Sequence, residues 1–385
     1  MKKLLLSSAA VAMGLSFAAP AAKAQGVTLD LGGHMKGYVA YTDQDTATGN
    51  DNREIDWFRE TEIHFTGETT LDNGLTVGFH AEADADGADG FELDESYAYF
   101  SGSWGRVNAG EEDGAAYLLQ VAAPSADSNI DGLRQYISTV NYSLTSAFAT
   151  NPTIGFDYAN DVARNAEKLT YLTPVMNGFQ GGVSFTPDLK TGTTLTGTSN
   201  LGNTLVTSGT SGDNSLFSVN QDDQDDSYGE VYEVGARYEG QMDNVGFTFG
   251  GGYTHADLEA DGGNGYDDFQ EWNVGLDLDV AAFGLGVAYT ENNNGRDTND
   301  ENETWVVGAD YTTGPFKLGA SYLNNETDSY GTGSEVETDR YAGGVVYTYG
   351  PGMTFRGSVS YIDHDITGND DIEATSFLVG TQINF

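Results

Sequence analysis

Apolar residues recur at every second position along most of this chain. Val27, Leu29, Leu31, Met35, Val39 and Tyr41 share one parity, while Thr28, Asp30, His34 and Lys36 occupy the other. The same alternation returns in Tyr232, Val234, Ala236 and Tyr238, in Trp272, Val274, Leu276, Leu278 and Val280, and in Trp305, Val307, Ala309 and Tyr311. It closes the chain, where Phe377, Val379, Ile383 and Phe385 oppose Ser376, Gly380, Gln382 and Asn384. A period of two marks a strand with one apolar face, and helical spacing fits none of these runs well.

The connections between runs alternate in length. Compact turn residues stand at Asp72-Asn73-Gly74, Ser103-Trp104-Gly105, Met176-Asn177-Gly178, Met242-Asp243-Asn244, Ala282-Phe283-Gly284, Gly314-Pro315 and Gly350-Pro351-Gly352. Longer acidic stretches, rich in Asn and Gly, fall between them at about residues 43–52, 86–90, 111–165, 188–228, 259–267, 292–302, 325–337 and 366–372. Seven short and eight long connections join sixteen strands. Short turns on one side and long loops on the other predict a transmembrane β-barrel of the outer membrane. A soluble β-sandwich would hide its apolar face and would not need aromatics at strand ends. Here Tyr232 and Tyr238, Trp305 and Tyr311, Phe316 and Tyr322, and Tyr341 and Tyr349 bracket their strands. That spacing covers about 20–25 Å of tilted strand, the separation of two interfacial girdles.

Composition sharpens this picture. The formal charge is −43, from 16 Lys and Arg against 59 Asp and Glu. No nucleic-acid partner is expected, because binding one needs a basic face. There is no cysteine, which excludes disulfides and thiolate chemistry and suits passage through an oxidising periplasm. Average hydropathy is polar, yet 22 Tyr and 19 Phe argue against disorder. A barrel reconciles the two, since only alternate residues of each strand need be apolar. Residues 1–24 read as a signal peptide, with Lys2 and Lys3 before the apolar stretch Leu4–Ala19 and Ala22-Lys23-Ala24 as a small-x-small cleavage site. The barrel is then assigned to residues 25–385.

The chain resembles the general porins of Gram-negative outer membranes. The resemblance rests on Val27 to Tyr41, on Lys168-Leu169-Thr170-Tyr171 through Pro174, Gly178 and Phe179 to Phe185, and on terminal Phe385. It implies a sixteen-stranded antiparallel barrel assembled as a homotrimer in outer-membrane lipid and lipopolysaccharide, passing ions and small hydrophilic solutes. It also implies that the third extracellular loop, here 111–165, folds inward and narrows the pore. The Pro-Glu-Phe-Gly-Gly motif that some porins carry in this loop is absent.

With the apolar parity facing lipid, the opposite parity faces the lumen. It includes His34, His80 and a basic wall of Lys36, Arg106, Lys168, Arg237, Lys317, Arg340 and Arg356. The family pattern sets loop carboxylates against such a wall, which here implies Glu111, Glu112, Asp113, Asp127, Asp131, Asp157 and Asp161. Arg59 shares parity with Ile55, Trp57, Ile63 and Phe65, and Glu95 with Tyr97 and Tyr99, so both are expected to face outward. The family builds its trimer contact from the early strands, and this resemblance assigns both residues to that interface. A β-bulge that shifts parity locally is the alternative. Asp222, Asp223, Asp225 and Asp226 form an acidic run that offers oxygen ligands for weak calcium binding; no cofactor is otherwise required. The five histidines show no metal-ligand spacing, and no nucleophile elbow, phosphate loop or catalytic triad is found. Enzymatic activity is therefore not expected. A substrate-specific channel on the same fold and a secreted calcium-binding or adhesive β protein are the competing readings.

Overall fold

The computed structural model describes residues 26–45, 52–87, 90–141, 157–189, 228–259, 262–263, 265–297, 301–329, 334–368 and 371–385. Sixteen strands follow the alternating runs. They are β1 Thr28–Gln44, β2 Ile55–Thr70, β3 Thr76–Gly87, β4 Gly90–Gly102, β5 Gly105–Glu111, β6 Glu167–Leu172, β7 Phe179–Thr186 and β8 Tyr228–Met242. The second half comprises β9 Val245–Leu258, β10 Phe269–Val280, β11 Phe283–Asn292, β12 Asn302–Thr313, β13 Phe316–Ser329, β14 Ser334–Gly350, β15 Met353–Ile366 and β16 Ile372–Asn384. Two single-turn helices, α1 Ala115–Leu118 and α2 Ser128–Asp131, lie between β5 and β6.

Each strand pairs antiparallel with its neighbours in sequence, and β1 pairs with β16 to close the barrel. Closure removes every sheet edge, which a structure in hydrocarbon requires. The seam is completed by Phe385: its carbonyl accepts from Gly33 N at 3.0 Å, and its own N–H donates to Gly33 O at 3.1 Å. Gly33 sits at φ 146, and a Cβ there would meet Ile63 Cα and the Phe385 ring at 3.1 Å. Six of the seven short turns fall at the expected turn residues; between β10 and β11 the turn is Ala281-Ala282, with Ala281 at φ 59, and Phe283 and Gly284 already belong to β11. The connection expected at 325–337 is shorter, because β13 and β14 continue pairing to Ser329 and Ser334; their alternating polar residues there still satisfy the ladder.

The apolar parity is the outer one. Leu29, Leu31, Trp57, Phe185, Trp305, Leu318, Phe377 and Val379 are all exposed. The buried apolar clusters are instead inside the barrel. Ala123, Leu133 and Tyr158 pack on Ala288, Val306 and Leu323; Ile130 and Ile137 pack on Tyr38, Ala40 and Leu378; and Val140 packs on Val336 and Ile362. Each such large side chain contributes about 1.5–3 kcal/mol on burial. The segment between β5 and β6 is therefore fastened to the inner wall by its own small cores.

Candidate functional site: a loop seated inside the barrel

The segment after β5 crosses the inner wall in a trough of lumen-facing glycines. A Cβ on Gly250 would lie 2.7 Å from Val121, on Gly286 2.5 Å from Pro124, and on Gly319 2.5 Å from the Ala126 nitrogen. Gly235, Gly275 and Gly308 meet the Ala115, Val121 and Pro124 backbones still more closely. One glycine on each of β8 to β13 thus lets the loop backbone approach the wall. Beyond them, α2 and its cap contact residues of β1, β13 and β14. Asp127 accepts from Tyr38 Oη at 2.8 Å, Asp131 from Ser321 Oγ at 2.7 Å, and the Ile130 carbonyl from Arg340 Nη1 at 3.2 Å. The glycine trough was not recognised in the sequence, where its signal was the recurrence of Gly on the lumen parity of successive strands.

The basic wall residues lie on the lumen side, and most are engaged. Arg356 Nη1 contacts Asp127 Oδ1 at 2.5 Å, a direct wall-to-loop ion pair. Lys36 pairs with Glu60 at 2.7 Å and stands 4.0 Å over the Tyr136 ring. Arg237 pairs with Glu239 at 2.7 Å, and Lys317 with Asp310 at 3.1 Å. Arg106 donates to Asn108 at 2.6 Å and lies 4.0 Å over Tyr99. Lys168 is buried and points its ammonium at the carbonyls of Glu112, Ala163, Arg164 and Ala166, so it ties the two ends of the loop together. Arg340 is fully buried behind α2.

Arg134, which the sequence reading did not single out, organises the acids. It contacts Asp113 through Nη2 and Asp161 through Nε at 2.7 Å, and its guanidinium lies 4.0 Å over Tyr117. Two expected eyelet carboxylates thus face a cation of their own loop. Asp157 caps the Ala159 N–H at 3.3 Å.

Two assignments are corrected. Glu111 is the last residue of β5, paired with Ser96 and Glu167 on the outer parity of Val107 and Ala109, and is not a loop residue. Glu95 faces inward. The register slips between Glu82 and Ala83, leaving Asp94 as an extra residue on β4. Phe91 and Leu93 before the bulge face out, and so does Phe100 after it. Tyr97 and Tyr99 turn in, where Tyr97 stacks on His80 and Tyr99 donates to Glu68 at 2.7 Å. Arg59 keeps its outward position, with its side chain 66% exposed and 2.8 Å from Asp86. The signal segment 1–24 and the acidic run Asp222, Asp223, Asp225 and Asp226 lie outside the described residues.

Burial pushes the Glu112 carboxyl up to about 7, against the opposing pull of Arg106 and of the Asn108 amide. The folded protein therefore holds this proton more tightly than the unfolded chain, whose group titrates near 4.5. The burden of ionising it is absent below about pH 4.5 and complete above about pH 7, so stability falls with rising pH in that window. The thermal midpoint of the folded form, followed by gel mobility, should decline across it, and Glu112→Gln should flatten part of that slope.

With this geometry in hand, the similarities are specific. Residues 7–367 match the Gram-negative porin family. An uncharacterized protein of Rickettsia conorii is 32% identical over 105 residues, and one of Rickettsia prowazekii is 31% identical over 131. These matches span only 24% of this chain and 24% of the first protein, and 30% and 29% for the second. Among solved structures, an anion-selective porin from Comamonas acidovorans superposes with a TM-score of 0.60 at 16% identity, covering 93% of this chain and 100% of that one. A loop L8 deletion mutant of OmpT, an outer membrane protein of Vibrio cholerae, gives 0.58 at 12% identity, covering 94% of this chain and all of that one. The closed sixteen-stranded barrel with its outward apolar face and the family match over most of the sequence lead to one conclusion: the chain belongs to the Gram-negative porin family.

Proposed function

We propose that this porin passes ions and small hydrophilic solutes without a dedicated substrate, and that the segment 112–166 is the constriction that sets its cutoff. The observation that carries this reading is the seating of residues 115–126 against glycines on six consecutive strands, inside the closed barrel. Its chemistry is the field along the lumen rather than a bond-making site.

The field favours cations. Lys36, Arg237, Lys317 and Arg356 each have a carboxylate within 3.1 Å, and Lys168 is spent on loop carbonyls, so the basic wall offers little uncompensated charge to a permeating ion. Acids exceed bases by 59 to 16 overall. A bilayer with a salt gradient should give a zero-current potential of cation-preferring sign, shrinking as salt shortens the screening length below about 8 Å. An anion-preferring potential at low salt would refute the reading.

The partner is a second and third copy of this chain, joined through the outer face of the early strands. Arg59 supports this, because it points outward with its side chain 66% exposed and an Arg facing lipid is disfavoured. Arg59→Leu should lower the temperature at which oligomers dissociate in detergent while leaving the barrel folded. Unchanged dissociation would remove Arg59 from the interface.

A further inference from the structure

Three of the five histidines gather on the inner wall of β1 to β3. The register sets His34 opposite Glu62, His64 opposite Glu82 and His80 opposite Thr66. The His34 and His64 rings are 6.0 Å apart and those of His64 and His80 5.6 Å, both edge-on. His64 Nδ1 lies 3.5 Å from Glu82 Oε1, and His80 Nε2 lies 2.7 Å from the same oxygen. One ligand atom from each of His64, His80 and Glu82 falls within 4.8 Å of the others. Their side chains are 29%, 14% and 16% exposed, so the cluster is open to lumen water.

We infer that His64, His80 and Glu82 form a binding site for a divalent transition-metal ion such as Zn²⁺ on the wall of the channel. Two imidazoles and a carboxylate suit zinc, copper or nickel, whereas calcium and magnesium take oxygen ligands alone. Ligand atoms around tetrahedral zinc, with bonds of about 2.0–2.1 Å, stand about 3.3 Å from one another. The two distances to Glu82, 2.7 and 3.5 Å, bracket that value, and all three ligand atoms lie within 4.8 Å of one another, so side-chain rotations would bring them to it. Outer partners already orient both rings. His64 Nε2 contacts Glu62, and His80 Nδ1 lies 2.7 Å from Thr66 Oγ1. With Nε2–H of His64 donating to Glu62 and Nδ1–H of His80 donating to Thr66, the lone pairs of His64 Nδ1 and His80 Nε2 both turn toward Glu82. A carboxylate or hydroxyl behind a ligating imidazole is the usual support of a metal site. Three protein ligands leave a fourth position for water from the lumen.

Glu60 is held by Lys36 at 2.7 Å and by His34 at 3.3 Å, which leaves Glu62 and Glu82 to the other rings. Of the other two such clusters among the described residues, His34, Glu62 and His64 shares His64 with this site, and His255, Asp257 and Asp268 has one imidazole and carboxylates 42% and 43% exposed. His80 and Glu82 are neighbours on one face of β3, but His64 joins them only through the pairing of β2 with β3.

The test is zinc titration of the detergent-solubilised full-length protein by calorimetry, with excess calcium present to fill oxygen-only sites. Wild type is compared with His64→Ala, His80→Ala and Glu82→Gln, and with His255→Ala as control. One zinc per chain is expected at micromolar concentration. Its affinity should fall about tenfold or more in each of the three site variants and persist in His255→Ala. Glu82→Gln keeps the side-chain shape, and zinc-free conductance equal to wild type verifies folding for each variant. Equal zinc binding in wild type and the three variants, no binding in wild type, or loss only in His255→Ala would overturn the assignment.

Discussion

Replacing Arg134 with leucine is expected to cost about 3–5 kcal/mol, the usual consequence of stranding a buried charge. The guanidinium is 19% exposed and its partners Asp113 and Asp161 are 9% and 6% exposed, so solvent screens none of them well. Burial alone would lower the Arg134 pKa, but Asp113 and Asp161 outweigh it and hold the group charged. Without it, two carboxylates face each other in a packed segment. The loop should loosen, and single channels should show large current fluctuations together with a lower thermal midpoint. Adding Asp113→Asn and Asp161→Asn to Arg134→Leu should restore most of the loss, since the partners form one unit and their effects are not additive. A variant as quiet and as stable as the parent would show that the triad does not hold the loop.

Removing residues 120–136, bridged by a short Gly-Ser linker, should raise single-channel conductance by about twofold or more, because conductance follows the pore's narrowest section. The excised stretch includes α2 and the contacts of Asp127 with Tyr38 of β1 and of Ile130 with Arg340 of β14. The barrel should survive, because its sixteen strands pair without the loop. An unchanged conductance and solute cutoff would place the narrowest section elsewhere.

The barrel was legible because strand parity is a strict local code. Each lipid-facing run, from Leu29 and Leu31 to Phe377 and Val379, had to be apolar, and most short turns had a Gly, Asn or Pro at or beside them, the Ala281-Ala282 turn being the exception. The code failed where register slipped. At Glu95 the Asp94 bulge inverted parity, and Tyr97 and Tyr99 misled because an amphipathic aromatic serves the lumen as well as the girdle. At Glu111 one further strand residue changed the face. The site was harder to read because its contacts are non-local. Arg134 lies 21 residues from Asp113 and 27 from Asp161. The wall glycines gain meaning only when Pro124 lies on them, and the histidines of β1, β2 and β3 only when the strands pair.

Uptake of neutral sugars of increasing size by liposomes carrying the purified protein tests the central claim most directly. The proposed constriction predicts rapid entry of the smallest sugars, a steep fall with size and exclusion of large oligosaccharides. Impermeability to every sugar, or entry independent of size, would contradict it.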